Sequence, residues 1–171
     1  MLGTWTVNGL YELQVPPGLA PKRAANGLGH IYIQVKFIDN PADDKEPQAP
    51  PVTDDIETQL KLDQERIEGT LKVVVAHGLK LLPVDNDSTT SDPYVQISYN
   101  GKTYKSKHIN KTLNPIWNFK QDIPFSVLKK DPPKLSIHVF DHNAILSNNL
   151  IGLKEFKLDE VFANPGLIFS F

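Results

Sequence analysis

The chain has no cysteine among its 171 residues, which excludes disulfides and thiolate metal sites and suits a reducing compartment. No apolar run approaches the ~20 residues that a bilayer-spanning helix needs, so any membrane contact is expected from the side. Neither charge is in excess: 18 lysines and arginines oppose 20 aspartates and glutamates, a net charge of −2. No global field therefore draws the chain to nucleic acid or to an acidic membrane, and such a preference has to come from a local patch. The opening Met1-Leu2-Gly3-Thr4-Trp5-Thr6-Val7 lacks a basic flank and a continuous apolar run, so no secretory signal is expected. Without one, the glycosylation-like triplets at Asn86 and Asn110 read as chance. Catalytic signatures are scarce too. There is no G-x-S-x-G or G-x-x-x-x-G-K-[ST] run, and the five histidines show no metal-ligand spacing. His142 beside Asp141 is a poor acid–base pair, because neighbours at a strand end point to opposite sides. A non-enzyme is expected.

What the chain does have is alternation. From Tyr94, the apolar residues Val95, Ile97 and Tyr99 fall on one face at period two. Pro93 forces an extended backbone at Asp92 and fixes where that strand begins. Asn100-Gly101 tolerates positive φ at both positions and predicts a two-residue hairpin, with the chain returning through Thr103 to Lys107. Further strands are expected at Thr70 to His77, Trp117 to Phe125, Lys134 to Phe140 and Leu150 to Leu158. Pro124 places the second of these at an edge or a bend. Short strands separated by turn signals indicate an all-β sandwich.

Three segments carry a family resemblance. Ser91-Asp92-Pro93-Tyr94-Val95, Lys111-Thr112-Leu113-Asn114-Pro115-Ile116-Trp117-Asn118-Phe119, and Val139-Phe140-Asp141 followed by Leu150-Ile151-Gly152 resemble, in order and spacing, the diagnostic stretches of a C2 domain. The resemblance covers about Gly69 to Phe162. It implies an eight-stranded antiparallel β-sandwich over residues 67–171 whose final strand is expected from the N-terminal segment, and composition marks a proline-rich acidic linker at 39–66. A weak helical pattern at Asp54 to Arg66 and a short helical turn at Asp159 to Ala163 are also read.

Residues 1–38 resemble the end of a C2 domain, yet they come before the domain whose end they resemble. Thr4 to Val7 and Leu10 to Leu13 are expected as two short strands, and His30 to Phe37 as a half-buried strand with Ile31, Ile33, Val35 and Phe37 on one face. Three arrangements compete. The segment is the tail of an upstream domain, or it folds back to supply the final strand, or two copies exchange it. Fold-back is favoured, because an open apolar sheet edge invites aggregation. The linker is long enough at ~3.3 Å per residue.

The resemblance also implies sites. In the family, aspartates from two loops at one end of the sandwich hold calcium. Asp92 and Asp141 match directly, Asp85 or Asp87 matches the first position, and Asn143 and Asn149 stand where two further aspartates would be. An amide oxygen coordinates but adds no charge to offset the dehydration of a divalent ion, so calcium is expected at most as one weakly bound ion. Asp and Asn are also ordinary turn formers. Lys102, Lys105, Lys107 and Lys111 match the family's headgroup-binding face, against the alternative of a solvated strand face. Ile145 and Leu146, at a loop tip, are expected to insert into a bilayer, whereas Leu81 and Leu82 are expected in the core. Together these imply a cytoplasmic, peripheral lipid-binding module for anionic phospholipid membranes, as in multi-C2 proteins similar to extended synaptotagmins or tricalbins. The different-class alternative is a calcium-independent structural subunit that binds protein partners or other C2 domains.

Overall fold

The computed structural model describes residues 5–15, 27–39, 66–84, 89–128, 134–143 and 148–158. Eight strands run in the order β1 (Trp5–Glu12), β2 (His30–Asp39), β3 (Arg66–Leu79), β4 (Pro93–Tyr99), β5 (Lys102–Lys105), β6 (Ile116–Leu128), β7 (Leu135–Asp141) and β8 (Asn149–Phe156). They form two antiparallel sheets, ordered β1-β2-β3-β6 and β5-β4-β7-β8. The period-two residues face inward and make one core. Ile31, Ile33 and Phe37 of β2 meet Leu71, Val73 and Val75 of β3, Val95 and Ile97 of β4, and Ile137 and Val139 of β7. Asn100 and Gly101 have φ of 45° and 73°, which makes the β4–β5 hairpin the tight turn that the sequence predicts. β6 lies at a sheet edge, the position where a proline such as Pro124 is tolerated.

Residues ahead of the proline-rich tract supply strands to this sandwich. The borrowed material is larger than one final strand, since β2 pairs with β3 over its whole length and β1 pairs in turn with β2. The two short strands expected between Thr4 and Leu13 are a single strand through Gly9. Several contacts fasten this hairpin to the second sheet, among them an edge-to-face stack of Tyr11 on Phe156 with ring centres 5.2 Å apart. Gln14 and Leu153 exchange both backbone hydrogen bonds, at 2.8 and 3.0 Å. Gly152 leaves room for Leu13, whose Cβ would lie 2.8 Å from any Cβ added at residue 152. The tract at 40–65, the helical pattern read within it and the turn read at 159–163 lie outside the described residues.

Antiparallel connection places the β3–β4, β5–β6 and β7–β8 strand ends that bound Leu79–Pro93, Lys105–Ile116 and Asp141–Asn149 at one end of the sandwich, and the Asn100-Gly101 hairpin at the other. The loop end is where the candidate site is built.

Candidate functional site

Asp92 and Asp141 come from loops 49 residues apart in sequence, and here they touch. The Asp92 N–H donates to Asp141 Oδ1 at 2.7 Å, and the His142 N–H donates back to the Asp92 carbonyl at 3.0 Å. The Asp92 carboxylate also accepts the Lys111 N–H at 2.6 Å, which ties in the third loop. Asp141 is fully buried, and its Oδ2 accepts the Asn143 side-chain amide at 3.2 Å. Ser91 is fully buried beside it: its hydroxyl donates to the Leu82 carbonyl and accepts the Val84 N–H. The two carboxylates therefore act as fasteners that join three loops.

That bonding pattern does not fit a calcium ion held by the described residues. Calcium takes 6–8 oxygens, and three of the four oxygens of these two carboxylates already receive N–H donors. Asn143 turns its amide nitrogen toward Asp141. Asn149 sits opposite Asp141 in the ladder with an exposed side chain. No group of three His, Cys, Asp or Glu able to hold a metal occurs among the described residues. Asp85 and Asp87 lie outside the described residues, as do Ile145 and Leu146.

Next to this junction, on the outer face of the β5-β4-β7-β8 sheet, is an open groove of about 370 Å³ lined by Tyr94, Lys105, Ser106, Lys107, His108, His142 and Asn148. Lys105 and Lys107 reach it together because they are two apart in an extended stretch. The Ser106 hydroxyl, which accepts the Val95 N–H and donates to the Lys107 carbonyl, holds that stretch beside β4. His108 and His142 stack in parallel with ring centres 4.1 Å apart and planes within 8°. The Asn148 amide donates to Tyr94 Oη at 3.0 Å, while its carbonyl oxygen accepts the Asn143 N–H at 2.9 Å. Further along the same sheet, burial pushes the His138 imidazole below its ordinary value, with Glu155 acting partly against this.

The four lysines are not one cluster. Lys102 pairs with Tyr99 beside the far hairpin, and its separation of three from Lys105 turns it to the opposite sheet face. Lys111 is exposed in the rim loop with φ of 50°, outside the groove lining. Leu81 is buried and Leu82 packs against the core. Asn148 and the histidine pair escaped sequence reading, because nothing local distinguishes Asn148 from Asn149, and the partner of His142 lies on another loop.

The family model of the C2 domain matches residues 69–169. The chain belongs to the C2 domain family. That match begins within β3, so β1 and β2 of this C2 domain precede it. Protein C2-DOMAIN ABA-RELATED 11 of Arabidopsis thaliana is 34% identical over 56% of this chain and 54% of its own length. C2 domain-containing protein 5 of Homo sapiens is 33% identical over 53% of this chain and 9% of its own. Arrestin domain-containing protein B of Dictyostelium discoideum is 36% identical over 40% and 11%. The chain thus spans between about a tenth and half of these relatives. Among solved structures, a C2 domain of RIM from Drosophila matches with a TM-score of 0.46 and 17% identity, over 52% of this chain and 75% of that one. The calcium-bound pair of C2 domains from extended synaptotagmin 2 matches with a TM-score of 0.48 and 24% identity, over 54% and 35%.

Proposed function

We propose that this C2 domain is a non-catalytic module that binds anionic phospholipid headgroups in the Lys105–Lys107 groove, with calcium dependence weak or lost. The observation that carries the reading is the groove itself. Two exposed lysines, two stacked imidazoles and the Asn148 amide converge on one concave surface with no carboxylate in its lining. That donor-rich set suits a phosphate group. Calcium dependence is weak in this reading because the Asp92 and Asp141 oxygens are committed to loop N–H groups. Ile145 and Leu146, expected from the sequence to insert, add an apolar contact, and the domain sits peripherally at a membrane. Among the described residues no helix is long and apolar enough to cross one.

Sedimentation with phosphatidylserine-containing vesicles, in calcium and in chelator, tests this. Binding is expected in chelator and gains little from calcium. Each lysine near an anionic surface contributes ~1 kcal/mol, so Lys105→Ala with Lys107→Ala weakens binding roughly 30-fold. A folded protein that pellets with no vesicle in either condition overturns the reading. That result favours the protein-interaction subunit, in which the satisfied carboxylates serve only to brace the loops.

A further inference from the structure

The outer face of the other sheet carries a feature that neither the groove nor the loop junction uses. Cross-strand register sets Leu10 opposite Tyr32, Tyr32 opposite His77, and His77 opposite Ile116. These four residues make one line across β1, β2, β3 and β6, at right angles to the strands. With strands ~4.8 Å apart, the line is roughly 14 Å long. Tyr32 and His77 stack at 5.4 Å with planes 14° apart, filling its middle. Leu79, two residues on from His77, extends it toward the loops. The large hydrophobic side chains exposed among the described residues are Leu10 at 41%, Leu79 at 37% and Ile116 at 67%. All three belong to this one patch.

The patch is graded along the strands. The next rung away from the loops is Asn8, Gln34, Val74 and Lys120, and the one beyond it is Thr6, Lys36, Lys72 and Asp122. In that last rung Lys72 pairs with Asp122 at 3.0 Å. Apolar character is thus confined to the rim end and gives way to charge toward the far hairpin. A protein partner spread over the whole sheet would have to cover those charges. A surface met rim-first would not.

The 106–115 loop joins this patch to the groove. At its start, Ser106, Ile109 and Thr112 donate backbone N–H groups to Val95, Pro93 and Ser91, along β4 and its approach. At its end, the Leu113 and Pro115 carbonyls accept the Leu81 and Gly78 N–H groups, and Asn114 Oδ1 accepts the Lys80 N–H. One ribbon therefore carries Lys107 and His108 at the groove, the exposed Lys111 at the rim, and Ile116 at the patch. The exposed Lys80 stands beside Leu79. Lys80 and Lys111 thus border the patch on its rim side, so a contact tilted toward this sheet sets cations against headgroups while the aliphatic side chains meet the acyl boundary.

We infer that Leu10, Tyr32, His77, Leu79 and Ile116 form a second lipid-contacting surface, which seats the domain on anionic bilayers tilted toward the β1-β2-β3-β6 sheet. The inference rests on the groove reading for its partner, and its test separates the two. Because the chain has no cysteine, Ile116→Cys, Leu79→Cys and Asn100→Cys each accept one environment-sensitive fluorophore. On adding phosphatidylserine vesicles in chelator, the labels at 116 and 79 shift to the blue and are quenched by brominated lipid, while the label at 100 stays silent. Ile116→Glu with Leu79→Glu weakens vesicle binding roughly tenfold, with circular dichroism confirming the fold. Vesicle binding with silent labels at 116 and 79 overturns the patch and leaves the groove reading standing. Blue-shifted labels whose vesicle-concentration dependence is unchanged in the Lys105→Ala, Lys107→Ala protein uphold the patch and overturn the groove. No vesicle binding by the unsubstituted protein overturns both.

Discussion

Asp141 is fully buried and takes hydrogen bonds from the Asp92 backbone and the Asn143 amide. Removing such a carboxylate strands buried donors, and hydrogen bonds to a charged group are worth about 1.5–3 kcal/mol each. Asp141→Ala is therefore expected to lower unfolding free energy by about 3 kcal/mol in the absence of calcium, as measured by denaturant titration. A carboxylate kept only to hold an ion would show the opposite, since losing it would leave the metal-free protein unchanged or stabilised. That Asp92 and Asp141 meet was legible through the C2 resemblance, which sets their two loops side by side at one end of the sandwich. How their oxygens are used was not. Donors such as the Lys111 N–H arrive from a third loop whose path depends on the Ser91, Pro93 and Leu113 carbonyls.

At the scale of strands, the N-terminal hairpin is joined to its sandwich by close approaches that leave little tolerance. A methyl at residue 152 would meet Leu13 at 2.8 Å and Leu28 at 3.2 Å. Overpacking of this kind typically costs about 1–3 kcal/mol. Gly152→Ala is thus expected to lose about 2 kcal/mol in the whole chain, and much less in a chain that lacks residues 1–39, by thermal unfolding of both. The alternation of β2, β3, β4 and β7 could be read directly, because each buries one face. β1 was harder to read. Gly9 interrupts its pattern, and the ladder to β2, rather than its own side chains, sets its extent. The apolar line across the outer sheet face was invisible, since its members are scattered along the sequence from Leu10 to Ile116, and only the register aligns them.

For the molecule as a whole, order in sequence and order in space disagree. The strands that close the β3 edge come first, and the match to the family begins after them. The C2 resemblance made the missing closing material noticeable, and the aggregation cost of an open edge chose between the arrangements. What sequence could not supply was the extent of closure, because Gln14–Leu153 pairing and the Leu13–Gly152 contact appear only once both sheets are assembled. The sandwich is consequently built from two separate stretches of sequence. Residues 1–39 and 66–171, expressed as separate polypeptides, should recombine spontaneously and co-elute as a one-to-one complex, whereas the larger piece alone should self-associate through its bare edge. A protein of this build can be switched off by withholding a short peptide and restored by returning it.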